Sequence, residues 1–378
     1  MLKIHVLNVS HGDSIVLEFE PEAEAGEGRG ASKFAVIDCN ARSGRNPALQ
    51  LLRERGATHL QFIALTHPHA DHYAGLGEIC EAFRGHVDAF FSFPIERSQE
   101  KLRTLLERYA TAGATTSMSG SRATEDFLIF IKSARDSDQW DDPVATVPVP
   151  MDIGGFPGVS FQALLPMNSA RGQVLPRLIQ GHLTTQANDL NDLSLAILIT
   201  YAGRQAVLGA DGTVVGWSAQ SQRWNRPNSR TSVRPTIVKL PHHGSQKDCT
   251  KQVLEQLFPT ADDERVAIIS ANGSSHHPHS SVLAELARMG VKPYCTNLSE
   301  RCGGTAQQML AEANPNVSAD LLRTIQIFAV DPGRERPCQG NITVEIAASG
   351  EVKVVPQYAH PCGFRGDWER LFGLGAVQ

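Results

Sequence analysis

The amino-terminal part of the chain contains short runs that alternate between apolar and polar residues or are wholly apolar, and both patterns are typical of β-strands. Such runs predict strands at residues 2–9, 15–19, 34–38 and 61–65. Residues 47–56 begin with proline and end with glycine, which predicts a short helix. A further helix start follows the fourth strand at Tyr73. The polar turn before Tyr73 is therefore expected to connect a strand to a helix.

The rest of the chain continues this mixture of elements. Further strands are predicted at 87–93, 159–165, 193–201, 205–209, 237–240, 266–270, 292–296, 324–330, 341–347 and 351–355. Amphipathic helices are predicted at 99–112, 124–134 and 280–289. Residues 168–189 are polar and irregular, and they predict no regular element. The pattern as a whole is that of an α/β protein.

Composition narrows the class of protein. The chain has 378 residues, of which 41% are apolar and 20% charged, as expected for a soluble globular protein. Neither a leader peptide nor an apolar run long enough to span a membrane is found, so a cytoplasmic location is expected. The seven cysteines are odd in number and scattered, which favours reduced thiols. A net charge of −5 argues against bulk electrostatic coating of nucleic acid, although a local basic patch remains compatible with a polyanionic substrate.

The most informative stretch is Thr66-His67-Pro68-His69-Ala70-Asp71-His72. It places three imidazoles and a carboxylate on the predicted strand-to-helix turn. These are ligands of divalent metals, and neighbouring side chains diverge, so they do not all reach one ion. Two adjacent metal ions are predicted, and the alternative is a polar loop without metal.

This H-x-H-x-D-H pattern resembles the signature loop of the metallo-β-lactamase superfamily. The resemblance implies that His67 and His69 bind one metal and that Asp71 and His72 bind the other. It also implies a four-layer αββα sandwich with two mixed sheets, outer helices and the metal site at one edge. Hydrolysis by a metal-bound hydroxide is the implied reaction, with Asp71 orienting it or accepting its proton.

Two later segments resemble further ligand motifs of the superfamily. Leu208-Gly209-Ala210-Asp211 resembles the strand end whose carboxylate bridges the two metals, although an aspartate there is also a common turn residue. The pair His242-His243 follows a strand and resembles the His-His-Gly-Ser element of one branch. His242 is expected to be the second-site ligand, and His243 to contact substrate or support the site. Sequence alone does not separate the two.

That branch is the soluble domain of the competence protein ComEC and its relatives. The resemblance includes Gly12-Asp13-Ser14, Asn191-x-x-Ser194 and His277-Pro278. These relatives usually carry Gly-Gln-Gly-Asp-Ser, from which Ser10-His11 departs. His277 is expected to bind phosphate or protonate a leaving group, and the alternative is a polar capping loop.

The first metal site lacks the third histidine that other branches have, because Asn191 occupies that place. Two histidines, Asp211 and solvent would form a weaker and more open site, which favours Mn²⁺ over Zn²⁺. His182 is a possible substitute ligand, or an ordinary solvent-facing residue. Asn191 is a candidate for substrate contact.

Two other sets of residues carry weaker signals. Arg223, Arg226, Arg230 and Arg234 surround Trp224; Arg226 and Arg230 are candidates for phosphate contacts, and a solvated loop is the alternative. Cys295, Cys302, Cys338, His360 and Cys362 lack paired C-x-x-C spacing. A structural zinc ion is one interpretation of that set, and scattered buried thiols are the other.

Together these features predict a catalytic domain at residues 1–355, with an insertion at about 95–155 and a carboxyl-terminal extension at 356–378. The expected function is that of a hydrolase with two divalent ions, Zn²⁺ or Mn²⁺. A ComEC-like phosphodiesterase or DNA nuclease, with nucleic acid as substrate, is favoured. A small-molecule ester or phosphodiester hydrolase is the alternative, and a non-catalytic metal-binding scaffold is a third possibility.

Overall fold

Two β-sheets lie at the centre of the computed structural model. It describes residues 1–21, 30–41, 44–95, 104, 118–145, 148–183, 188–224, 233–259, 264–271, 277–297 and 338–359. The predicted helix at 99–112 and the predicted strand at 324–330 lie outside these ranges, apart from the single residue 104.

The first sheet has eight strands in the order β15-β14-β1-β2-β3-β4-β5-β6. They are β1 (Leu2–Val6), β2 (Ser14–Phe19), β3 (Lys33–Cys39), β4 (Leu60–Leu65), β5 (Val87–Ser92), β6 (Trp140–Asp141), β14 (Ile342–Ile346) and β15 (Val352–Pro356). Strands β3 to β6 pair in parallel, whereas the pairs from β15 to β3 are antiparallel.

The second sheet has seven strands in the order β13-β12-β11-β10-β9-β8-β7. They are β7 (Val149–Met151), β8 (Val159–Ala163), β9 (Ile197–Tyr201), β10 (Arg204–Leu208), β11 (Ile237–Lys239), β12 (Val266–Ile269) and β13 (Lys292–Cys295). Strands β10 to β13 pair in parallel and the others are antiparallel. Both sheets are therefore mixed, as the resemblance implied.

Besides two 3₁₀ helices at Asn188–Leu193 and Pro241–Gly244, eight α-helices have bounds among the described residues. They are α1 (Pro47–Glu54), α2 (Ala70–Tyr73), α3 (Leu76–Ala82), α4 (Met118–Asp136), α5 (Asn168–Ile179), α6 (Val214–Trp224), α7 (Lys251–Leu257) and α8 (Ser280–Arg288). The caps follow the expected chemistry: the side chains of Asn46 and Thr250 accept from backbone N–H groups in the first turns of α1 and α7.

Strand alternation builds three apolar layers. In β4, Phe62 and Ala64 point between the two sheets, whereas Ile63 and Leu65 pack on the other side, against α1, α3 and α4. The outer side of the second sheet packs against α6, α7 and α8 through residues such as Trp217. Each sheet thus has one face toward the other sheet and one face toward helices, and the fold is the four-layer αββα sandwich.

One helix was not predicted from the sequence pattern. Residues 168–179 form a helix despite Gly172 and Pro176, because Val174, Leu175 and Leu178 are buried on one side of it. Tertiary packing overrides weak local propensity there. The segment predicted as an insertion supplies α4, β6 and β7, and Phe127 and Phe130 of α4 are fully buried. Within the described ranges, no helix has the length and apolarity needed to cross a bilayer.

The connections that follow β1, β3, β4, β10 and β11 meet at one edge of the sandwich. Strands β3 and β4 are parallel, as are β10 and β11, so their carboxyl ends leave each sheet on one side. Asp38 lies near the end of β3, and His67 follows β4. Asp211 follows β10, and His242 and His243 follow β11. Strand ends of this kind are where open α/β sheets place their ligands.

Candidate metal centre

The loop after β4 brings together the residues of the H-x-H-x-D-H pattern. His67 is fully buried directly behind the strand, and His69 precedes α2, whose single turn carries Asp71 and His72. The turn allows Asp71 and His72 to point differently from His67 and His69. The pattern is therefore divided between two candidate clusters, which is the division that the resemblance implied.

The first cluster consists of His67, His69 and Asp211, whose candidate ligand atoms lie within 4.8 Å of one another. His67 Nε2 is 3.1 Å from His69 Nδ1 and 3.7 Å from Asp211 Oδ2. These separations suit ligand atoms that surround one ion at about 2.0–2.2 Å each.

The second cluster consists of Asp71, His72 and His243, with ligand atoms that are again within 4.8 Å. Asp71 Oδ2 is 3.9 Å from His72 Nε2 and 3.7 Å from His243 Nε2. Asp211 Oδ1 is 3.5 Å from each of these two imidazole nitrogens. Asp211 thus presents one oxygen to each cluster, the arrangement that a bridging carboxylate requires.

The donor atoms of the second cluster fit a cation. His72 Nε2, His243 Nε2 and Asp211 Oδ1 are all buried and have no hydrogen-bond partner among the described residues. Buried polar atoms without partners are rare and costly. A divalent ion among them would satisfy all three at once, so the chemistry of this set matches a metal site.

His72 is held from behind by Asp38. The His72 Nδ1–H donates to Asp38 Oδ2 at 2.7 Å, which leaves Nε2 directed at the cluster. Asp38 is itself fixed by Thr66, whose backbone N–H and hydroxyl donate to its two oxygens at 2.7 and 2.6 Å. This chain of contacts joins the ends of β3 and β4.

A buried ion pair lies behind His243. The Lys239 ammonium contacts Asp13 Oδ2, and both side chains are almost completely inaccessible to solvent. Asp13 Oδ1 is 3.6 Å from His243 Nδ1. Burial raises the pKa of Asp13, but the positive charge of Lys239, followed by that of His243, outweighs burial and leaves the pKa below its ordinary value. Asp13 therefore remains a carboxylate beside His243.

The structure places the two adjacent histidines in different environments. His243 joins the second cluster, the place that the sequence assigned to His242. His242 instead binds Asp248, with its Nδ1 2.6 Å from Asp248 Oδ2 and its Nε2 3.8 Å from Asp211 Oδ2. Both histidines have left-handed backbone angles, with φ of 45° and 53°. This turn separates side chains whose order in the sequence does not reveal their directions.

The other candidate residues lie at varied distances from the clusters. Asn191 is buried, with its Nδ2 3.5 Å from His242 Nδ1. The His277 ring lies 5.3 Å from that of His242 and 6.5 Å from that of His243, so it flanks the paired-histidine turn. His182 is exposed beyond α5 and belongs to none of the candidate metal clusters among the described residues.

Backbone strain is concentrated around the clusters. Among the described residues, six that are not glycine have positive φ: Ser10, Asp38, Ala202, Ala210, His242 and His243. Ala202 lies in the β9–β10 hairpin, Asp38 lies near the end of β3, and the other four lie in loops that carry or contact the clusters. Such conformations persist only where surrounding contacts impose them, and they are typical of functional sites.

The pKa values of His67 and His72 are shifted in opposite directions by their surroundings. Burial, followed by the charge of His72, lowers the pKa of His67 well below its ordinary value. Burial also opposes protonation of His72, but Asp211, Asp38 and Asp71 outweigh it and raise the pKa of His72 well above its ordinary value. Burial raises and nearby histidines lower the pKa of both Asp71 and Asp211, which end well below the ordinary range. Both carboxylates are therefore ionised at neutral pH.

Most residues of the arginine set and of the cysteine and histidine set lie outside the described residues, so both predictions remain untested. Arg226, Arg230 and the side chain of Arg223 lie outside the described residues. Arg234 is exposed, and its backbone N–H donates to Gln205 Oε1 at the end of β10 opposite Asp211. Of the cysteine and histidine set, only Cys295 and Cys338 are described; both are buried, and neither belongs to a candidate metal cluster among those residues.

Several contributing residues were not singled out from the sequence. Lys239 had a usable signal, since it is a charged residue inside the apolar strand Ile237–Lys239. Asp248 had none, because an aspartate in a polar turn is common. His11 was noted only as a departure from a motif, yet its Nε2 lies 3.0 Å from Asp71 Oδ2.

The sequence matches the family model described as the metallo-beta-lactamase superfamily over residues 35–89, which include Asp38 and the His-rich loop. The chain is therefore similar to that superfamily over the segment that carries the His-rich loop, and the two candidate metal clusters include residues of this segment. The curated proteins contain no match to the sequence.

Some solved structures are similar at low sequence identity. A mutant of CmlA beta-hydroxylase is 10% identical, with a TM-score of 0.41 over 78% of this chain and 52% of that chain. A protein of unknown function from Enterococcus faecalis is 8% identical, with a TM-score of 0.29 over 79% and 70%. A beta-lactamase domain protein from Burkholderia ambifaria is 10% identical, with a TM-score of 0.31 over 93% and 90%. The chain spans about half the length of the hydroxylase.

Proposed function

We propose that this protein is a metal-dependent phosphodiesterase, and specifically a DNA nuclease of the ComEC-like kind. The observation that carries the proposal is the convergence of four separate sequence motifs on one pair of clusters. Gly12-Asp13-Ser14 contacts the Asp71 turn, and Asn191 lies beside His242. The paired histidines and His277 complete the group. These are the motifs that resemble the ComEC-like branch.

We assign the first metal to His67, His69 and Asp211, and the second to Asp71, His72, His243 and Asp211. Two divalent cations bound there supply Lewis-acid activation of water and stabilise negative charge that develops on oxygen. Their identity is proposed to be Zn²⁺ or Mn²⁺. The imidazole and carboxylate donors suit either ion.

The chain's own groups beside the clusters suit a phosphodiester. His242 has its Nδ1 fixed by Asp248, so its ring is oriented before a substrate arrives. The rings of His242 and His277 are 5.3 Å apart, and both side chains are partly exposed. We assign to them hydrogen bonds to phosphate oxygens or to the leaving group. Asp71 is the candidate residue that orients the attacking water.

Hydrolysis assays with defined metals test this function. Protein stripped of metal and reloaded with Zn²⁺ or Mn²⁺ is offered single-stranded DNA, duplex DNA, RNA and bis-p-nitrophenyl phosphate. We expect DNA cleavage that is lost in a His67→Ala, His69→Ala double variant and retained in His59→Ala. His59 is a suitable control because it pairs with Asp88 in an exposed position away from the clusters. Failure of both metals to support cleavage of any phosphodiester would contradict the proposal.

The second candidate is a hydrolase of small phosphodiesters or esters. It is favoured by the net charge of −5 and by the position of Arg234 at the far end of β10. Cleavage of bis-p-nitrophenyl phosphate without cleavage of nucleic acid would support it.

A salt series separates the two candidates further. If Arg226 and Arg230 contact DNA phosphates, replacing both with alanine lowers the log–log salt slope of duplex binding by about one unit per lost contact. Hydrolysis of the small diester should not change. An Arg84→Ala, Arg135→Ala double variant is the control, since both of these arginines are exposed on the helical layer. An unchanged slope would show that Arg226 and Arg230 do not contact DNA phosphates.

A further inference from the structure

The loop between β1 and β2 lies directly against the turn that carries Asp71. Gly12 has φ of +90°, and a side chain there would collide with the backbone carbonyl of Asp71. The Asp13 N–H donates to that same carbonyl oxygen at 3.1 Å. The loop and the metal-binding turn therefore form one packed unit.

Three asparagines fix the conformation of this loop. Asn8 and Asn297 exchange reciprocal side-chain hydrogen bonds at 2.9 and 2.6 Å, and Asn8 Oδ1 also accepts from the Ser10 N–H at 3.1 Å. Asn40 Nδ2 donates to the carbonyl of His11. Ser10 is held at φ of 69°, a conformation that a residue with a side chain rarely adopts without such support.

This framework places His11 at the solvent side of the second cluster. Its Nε2 is 3.0 Å from Asp71 Oδ2, and its ring lies 5.7 Å from that of His243. The His11 side chain is 42% exposed, whereas that of Asp71 is 19% exposed and those of His72 and His243 are buried. His11 is thus the accessible member of a group that is otherwise closed.

We infer that His11 is a positioning residue of the second cluster, holding the Asp71 carboxylate in the orientation that binds the second metal. This inference rests on the proposed dinuclear site. An ionised carboxylate only accepts hydrogen bonds, so His11 Nε2 is the donor. Oδ2 is also the oxygen nearest His72 Nε2 and His243 Nε2. This 3.0 Å contact therefore limits rotation of the oxygen that faces the proposed ion.

Residues that hydrogen-bond to metal ligands in this way typically alter metal affinity by about 10- to 100-fold when they are replaced. His11 therefore acts on metal binding through Asp71 and need not touch the ion.

Three variants test the role of His11. His11→Ala removes the donor, and His11→Gln retains an N–H donor on a flexible side chain. His59→Ala is the matched control, because His59 is also 42% exposed and pairs with an aspartate at 2.7 Å away from the clusters. Zn²⁺ affinity is measured for each of the two equivalents by competition with a chelator, and Co²⁺ absorption reports the geometry of the site.

We expect His11→Ala to weaken the second equivalent by about 10- to 100-fold, to alter the Co²⁺ spectrum and to leave the first equivalent unchanged. His11→Gln should restore most of the affinity, and His59→Ala should match the wild type. Thermal unfolding of each metal-free variant distinguishes a local effect from loss of the fold.

The outcomes separate this inference from the proposed function. A wild-type protein that binds fewer than two metals overturns the dinuclear assignment itself. Two metals in the wild type with unchanged affinity in His11→Ala overturns only the role of His11. Equal weakening in His11→Ala and His11→Gln, with both variants folded, rejects the hydrogen bond as the cause.

Discussion

The two clusters share Asp211, but their histidines are supported by different groups. In the second cluster, His72 donates to Asp38 at 2.7 Å, and His243 faces Asp13 at 3.6 Å. In the first cluster, His67 Nδ1 lies 3.2 Å from the neutral hydroxyl of Thr66. A carboxylate behind an imidazole orients the ring and increases its basicity, and a hydroxyl does this less strongly.

This difference predicts an order of metal affinity. Among the described residues, the second cluster has two carboxylates as candidate ligands and two further carboxylates that face its histidines, whereas the first has Asp211 and two imidazoles as candidate ligands. The second metal should therefore be held more tightly, and the first should leave earlier under chelation. His242 lies 3.8 Å from Asp211 Oδ2, the oxygen that faces the first cluster. It is therefore a candidate for an additional ligand of the first metal, and such a ligand would reduce the difference in affinity between the two metals.

The largest expected effect on metal affinity comes from replacing Asp211, the residue that both clusters share. Asp211→Asn keeps the shape of the side chain but removes its charge, so both metals should bind more than about 100-fold more weakly. This loss is larger than the loss of about 10- to 100-fold that is typical when a residue hydrogen-bonded to a metal ligand is replaced. Metal content after dialysis and chelator competition measure this. Asp88→Asn is the control, since Asp88 is an exposed partner of His59. Loss of one metal alone would show that Asp211 does not bridge.

The buried ion pair behind the second cluster should matter for stability even without metal. Lys239→Met leaves the Asp13 carboxylate charged in the interior without its contact to an ammonium group, and the free energy of unfolding should fall by about 3–5 kcal/mol. Denaturant unfolding in the presence of a chelator measures this change. Lys292→Met, which alters an exposed pair, is the control. A loss below about 1 kcal/mol would mean that the pair is solvated like a surface salt bridge.

Replacing the carboxylates behind the histidines tests the comparison directly. Asp38→Asn should weaken the second metal by about 10- to 100-fold and leave the first largely unchanged. Asp248→Asn, which loosens His242, should show the opposite selectivity if His242 supports the first cluster. Stepwise metal titration of the two variants distinguishes them. Equal effects on both metals would show that Asp38 and Asp248 do not support different clusters.

The smallest predicted effect is a difference in pH dependence. The raised pKa of His72 means that this residue is protonated at neutral pH without metal, so the second metal must displace a proton. Its affinity should fall about tenfold per pH unit below that pKa. The lowered pKa of His67 means that it is already neutral, and the first metal displaces no proton from it. Calorimetry in two buffers of different ionisation enthalpy counts the protons released by each equivalent.

Local sequence was sufficient for features that depend on neighbouring residues. Alternating or apolar runs predicted strands at residues 2–9, 61–65, 193–201 and 205–209, and the structure has strands there at Leu2–Val6, Leu60–Leu65, Ile197–Tyr201 and Arg204–Leu208. Helix Asn168–Ile179 was not predicted, because its sequence is mostly polar. The three apolar residues that are buried on one side of it, Val174, Leu175 and Leu178, are too few to give a clear helical pattern. Side-chain divergence over a short turn gave the expectation of two ions, whereas the division of His67 and His69 from Asp71 and His72 was implied by the resemblance of the loop to the superfamily motif.

The sequence by itself determined which residue types meet at the candidate metal centre, because the H-x-H-x-D-H loop holds four candidate ligands within six positions. Only the tertiary structure decided what lies around them. The left-handed turn at His242 and His243 directs one ring to Asp248 and the other to the second cluster. The contact of Lys239 with Asp13 joins residues that are 226 positions apart. Such contacts depend on how two sheets pack together, and no local pattern records that packing.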